Sequence, residues 1–97
     1  MKKISWITPS CYVDVDLPII NNLRHVYKIH WFIILQTKNG DDTIQYIQSF
    51  IEESEYLTIS YCWQSFRLRS IKNIAFILNI IQFAKSTYPD IIYISEW

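Results

Sequence analysis

"KIHWFIIL", residues 28–35, decides the fold. Only Lys28 and His30 interrupt its apolar character. A near-continuous apolar run of this length fits a strand covered on both faces, the state of a central strand in a parallel sheet. The segments on either side fit that reading. Before it, "VDLPIINNLRHVY" (15–27) reads as a helix with Ile19, Ile20, Leu23 and Val26 at helical spacing. Pro18 suits its first turn, where a missing N–H costs nothing, and Asp16 is placed to cap that turn. After it, "TKNGDD" (37–42) is the clearest turn and holds the only glycine, Gly40. "TIQYIQSFIEESE" (43–55) follows as a second helix, with Ile44, Ile47 and Ile51 as its apolar stripe.

Further out the alternation continues. "KKISWIT" (2–8) is a short buried strand. "YLTISYCW" (56–63) alternates, Leu57, Ile59, Tyr61 and Trp63 one way and Thr58, Ser60 and Cys62 the other, as a half-exposed edge strand does. "SIKNIAFILNIIQFAKSTY" (70–88) is a long helix, broken by Pro89-Asp90, and "IIYISEW" (91–97) is a fourth strand. The order β-α-β-α-β-α-β predicts an α/β domain with a mostly parallel four-stranded sheet in the order 3-2-1-4.

At 97 residues the chain is one small domain, and 51% hydrophobic content excludes disorder. Nine basic and nine acidic residues give no basic excess, which argues against a nucleic-acid binder. Cys11 and Cys62 have no metal-ligand spacing; they read as free thiols in a reducing compartment, with a disulfide as the alternative. Pro9 and Ser10 interrupt the N-terminal apolar run, so it makes a poor signal peptide. "IAFILNIIQFA" (74–84) is too short for a membrane span. The default is a cytosolic chain.

Two features suggest a piece of a larger protein. The sequence stops at the end of a strand, and the long helix is apolar nearly all round (Ile74, Phe76, Ile77, Leu78, Ile80, Ile81, Phe83), as a helix covered on several sides is. The alternative is a small protein that hides this surface in a homodimer. Either way, the open edge strand and the apolar helix predict self-association.

One glycine excludes G-x-G-x-x-G and the P-loop, which need several to bring backbone N–H groups to phosphate. A response-regulator receiver is excluded too, because Thr8-Pro9-Ser10 and Cys62-Trp63-Gln64 stand where its acids would be. His25 in a helix and His30 in a strand form no triad. No motif points to a cofactor or a metal. What remains lies at the carboxyl ends of the strands. Thr8 and Ser10 either bind a polar ligand or close the turn. Asp14 and Asp16 either recognise hydroxyls or supply a base, or else Asp16 caps and Asp14 is solvated. Glu96 comes near the same loop in the 3-2-1-4 order, or is simply solvated. Arg67, Arg69 and Lys72 cluster where the long helix begins. They read either as a solvated loop or as a contact for an anion or a membrane surface.

"KKISWITPS" with its helix, "YKIHWFIIL" and "YPDIIYISEW" together resemble the N-terminal half-domain of a GT-B-fold glycosyltransferase, of the glycosyltransferase family 4-like kind. The resemblance spans the whole chain in order; its most specific piece is Pro89-Asp90 with the strand that follows. It implies a three-layer, Rossmann-like half-domain of a two-domain enzyme that moves a sugar from a nucleotide sugar to a glycan or lipid-linked acceptor. It implies that the donor is held mainly by a C-terminal domain, so that this half alone is inactive. It implies work at the cytosolic membrane face on surface polysaccharides. It would set Thr8, Ser10, Asp14, Asp16, Glu96 and the 64–69 loop around the acceptor. Glycines frequent in that family's first loop are replaced here by Pro-Ser-Cys-Tyr-Val-Asp, which favours acceptor over phosphate binding.

Overall fold

Each apolar run becomes a parallel strand. The computed structural model describes residues 1–36, 38–64 and 71–95, with side chains for all of these but 71–76. Strand β1 (Lys3–Pro9) leads through a 3-10 turn (Ser10–Tyr12) into helix α1 (Val13–Leu23). Then come β2 (Lys28–Gln36), α2 (Gly40–Phe50), β3 (Leu57–Gln64), α3 (Ile71–Lys85) and β4 (Ile91–Ile94). The sheet runs β3-β2-β1-β4 with every pair parallel, as the alternation predicts.

The two inner strands are covered on both faces. Ile4, Trp6, Ile29, Trp31, Ile33 and Leu35 pack under α1 and α2, against Val13, Leu17, Ile20 and Ile47. Ile7, Phe32 and Ile34 face the other way, against Ile80 and Ala84 of α3. Burial of each such side chain stabilises the fold by about 1.5–3 kcal/mol. As expected, β3 is an edge strand, with Leu57, Ile59 and Tyr61 on the α1–α2 side and Cys62 on the α3 side. Cys11 and Cys62 are both free.

Helix α1 departs from the sequence reading. It starts at Val13, because Ser10–Tyr12 already wind tightly, and Tyr12 at its N-cap makes no side-chain capping bond. Asp16 therefore does not cap; it lies within the first turn, three residues past the helix start, and is 4% exposed. Pro18 sits in the interior and forgoes the bond its N–H would give to the Asp14 carbonyl. The buried stripe is Val13, Asp16, Leu17 and Ile20, whereas Ile19 and Val26 are exposed.

Strand β4 is short, and two clasps fix it to β1. At one end the Lys3 backbone N–H donates to Asp90 Oδ2 (2.8 Å). At the other, Ser95 Oγ donates to Asp16 Oδ2 and the Ser95 N–H to the Ile7 carbonyl (2.9 Å). Between them the Trp6 and Tyr93 rings lie 4.3 Å apart.

Candidate functional site

In an open α/β sheet the ligand crevice lies beyond the carboxyl ends of the strands, where the chain reverses its winding direction. Here the reversal falls between β1 and β4. That place is filled. Asp16 Oδ2 accepts from Thr8 Oγ1 (2.7 Å), from Trp6 Nε1 (3.2 Å) and from Ser95 Oγ. Thr8 Oγ1 in turn accepts from Trp31 Nε1 (2.8 Å). All five side chains are buried. The carboxylate has donors converging on it, as a buried charge requires. Thr8 and Asp16 thus tie α1 to β1, β2 and β4, and neither is open to a ligand.

The open space lies one step along the edge, between α1 and α2. A cavity of about 270 Å³ is lined by Ser10, Asp14, Asn39, Asp42, Thr43 and Tyr46. A second, of about 300 Å³, shares Asp14 and Tyr46 and continues along Leu17, Pro18, Asn21 and Phe50. Together they form one groove. The Tyr46 hydroxyl hydrogen-bonds with the Asp14 carboxylate; this bond foremost, then desolvation and the carboxylate's charge, pushes the phenol above its ordinary pKa. Tyr46 and Phe50 stack at 4.9 Å with their rings 29° apart, and both are exposed. Of the site residues read from sequence, the structure brings Ser10 and Asp14 to this groove. Glu96, Arg67 and Arg69 lie outside the described residues, as does the side chain of Lys72 in α3.

The electrostatics of the groove are one-sided. The positive end of α1 already has Asp14 and Asp16 in its first turn, and α2 has Asp41 and Asp42. Those carboxylates complement the helix ends that would otherwise attract a phosphate. What they offer instead is hydrogen-bond acceptance. Among the described residues no cluster of His, Cys, Asp and Glu is fit to hold a metal ion, and no helix is long and apolar enough to cross a membrane.

Sequence reasoning missed Asn39, Asp42, Thr43, Tyr46 and Phe50. The signal was available: α2 also begins at the carboxyl end of a strand. It was hidden because "TKNGDD" reads as a turn, whereas the helix starts at Gly40 itself. Gly40 makes room for a close approach. A Cβ there would stand 2.2 Å from Cζ3 of Trp63, whose indole lies across the start of α2. Gly40→Ala should keep the fold, because the colliding atoms are the outer edge of a half-exposed ring and alanine favours the helix by up to about 1 kcal/mol. The Trp63 ring should swing out instead. Its indole N–H resonance will shift while those of Trp6 and Trp31 stay; an unmoved Trp63 resonance would contradict the packing described.

Set against known proteins, the chain matches no family model, no curated protein and no solved structure.

Proposed function

We propose that the chain is the acceptor-side half of a glycosyltransferase, working in the cytoplasm at the inner membrane face. Its partner substrate is a glycan or lipid-linked acceptor, and the nucleotide sugar is held through a further domain. One observation carries the reading: the α1–α2 groove combines carboxylate and amide acceptors with an exposed, stacked aromatic pair. Asp14, Asp42 and Asn39 suit hydroxyl groups, which donate to carboxylate and carbonyl oxygens. The flat faces of Tyr46 and Phe50 suit the C–H faces of a pyranose ring. The same carboxylates oppose a pyrophosphate. The resemblance of the strand and loop sequences to GT-B enzymes adds to this.

The test is a titration of the isotope-labelled chain with cellotetraose, maltotetraose and N-acetylchitotetraose, and separately with UDP-glucose. At least one oligosaccharide should shift the amides of Asp14, Asn39, Asp42 and Tyr46, and UDP-glucose should not. Asp14→Asn with Asp42→Asn, both at exposed positions, should weaken that binding about tenfold without unfolding the chain, the loss expected for charge-assisted hydrogen bonds. Oligosaccharides that leave those amides unmoved, or tight UDP-glucose binding, would overturn the proposal.

A second reading is a non-enzymatic module that pairs with itself. The outer edge of β4 favours it, with Ile91 43% and Tyr93 46% exposed on a strand paired on one side only. A micromolar dimer in sedimentation, combined with no oligosaccharide binding, would select this reading.

A further inference from the structure

At the opposite, amino edge of the sheet lies a cavity of about 170 Å³ on the α3 side. It has room for several water molecules or one small ligand. Lys3, Ser5, Lys28, His30, Thr58 and Thr87 contribute its polar walls. None of the lining residues is a carboxylate.

Its hydrogen-bonding groups are unbalanced toward donors. Lys3 and Lys28 are register partners on neighbouring strands, so two ammonium stems start side by side. Like charges so placed repel. Among the described residues neither ammonium has an ion-pair partner. The nearby Asp90 carboxylate is engaged by the Lys3 backbone N–H rather than by a side chain. Ser5 is 1% exposed, and its hydroxyl has no hydrogen-bond partner. An unsatisfied buried hydroxyl costs about as much as a lost hydrogen bond, so such groups are rare. The Thr58 hydroxyl is free at the exposed side.

The other groups do not cancel this. The Thr87 hydroxyl donates to the Ala84 carbonyl at the end of α3 (2.8 Å). The negative end of that helix is met by Lys85 in its last turn. His30 Nε2 is paired with Ser60 Oγ (2.7 Å), and its ring stacks on Phe32 at 4.0 Å. Burial lowers its pKa, with the charge of Glu53 pulling the other way.

We propose that this amino-edge cavity is a second ligand site, which takes the phosphate group of a small molecule between Lys3 and Lys28, with the Ser5 hydroxyl donating to one of its oxygens and Thr58 at the far wall beyond His30. Lysine serves phosphate as a compact point charge, and a buried hydroxyl adds a directed donor. The site is independent of the carboxyl-edge groove and faces the other way along the strands.

The test is an amide-shift titration of the labelled chain at neutral pH and constant ionic strength. The probes are inorganic phosphate and glycerol 1-phosphate, with chloride as the control. Saturable shifts at Ser5, His30, Thr58 and Thr87 are expected with a phosphate probe and not with chloride. Response to both probes assigns recognition to the phosphate group itself; response to glycerol 1-phosphate alone assigns the site to monoesters. Lys28→Gln or Lys3→Gln should each weaken binding about tenfold, the loss of one charge-assisted contact. Lys2→Gln, next to the cavity but outside its lining, should not. Ser5→Ala should weaken binding while leaving the unliganded fold as stable as before, since it deletes a hydroxyl without a partner. Shifts that never saturate, shifts equal to those of chloride, or full binding by the Lys3→Gln, Lys28→Gln double variant would overturn the proposal.

Discussion

Asp16→Ala is expected to lower the unfolding free energy by roughly 3–5 kcal/mol, because it orphans several buried donors at once. The substitution removes the acceptor shared by Trp6, Thr8 and Ser95 and leaves those buried donors facing a void. Each orphaned donor costs about 1–3 kcal/mol when it cannot reach water. Domains of this size stand at the low end of the usual 5–15 kcal/mol, so the variant should be partly unfolded at room temperature. Asp16→Asn should cost less, about 1–2 kcal/mol, because one oxygen still accepts. Asp14→Ala is the control: that residue is exposed, and the change should stay within about 0.5 kcal/mol. Urea unfolding followed by circular dichroism decides it. If Asp16→Ala and Asp14→Ala unfold at the same midpoint, the network does not hold the fold.

Phe32→Ala should cost about 3–5 kcal/mol, the usual loss for deleting a fully buried ring. Phe32 is 0% exposed and lies on the sheet face that α3 covers. Phe83 meets its ring edge-on at 5.7 Å, and His30 stacks on it. The cavity left by Phe32→Ala falls on the α3 side, against Ile80 and Ala84. Hydrogen exchange should show α3 losing protection before α1 and α2 do. Uniform loss across all three helices would mean that the two faces unfold as one unit.

The strands were legible because their burial is written directly into composition. "KIHWFIIL" could only be a strand covered on both faces, and the alternation in 57–63 matches the two sides that β3 presents. Helix starts were less legible, and one error there propagated to the site. With the helix begun at Val15, Asp16 reads as a cap of its first turn. With α1 begun at Val13, the spacing of residues 13, 16, 17 and 20 is a single helical stripe, and Asp16 falls inside it. A carboxylate on a buried stripe is a different object from a cap, and only the shape of the 3-10 turn separates the two. The groove was half legible. Ser10 and Asp14 were read from the first strand-to-helix loop. Asn39, Asp42 and Tyr46 belong to the second, where a glycine that serves the Trp63 ring looked like an ordinary turn residue.

The Asp16 carboxylate draws one of its donors from Ser95, 79 residues downstream, and the backbone at Lys3 is clasped by Asp90, 87 residues away. During synthesis at about 5–20 residues per second, the first three strands emerge several seconds before that donor does. Until then the Asp16 carboxylate at the carboxyl end of β1 lacks one of its bonds, and β1 has a bare flank. The edge of β1 that β4 covers is therefore the flank of the sheet that waits longest for its partner.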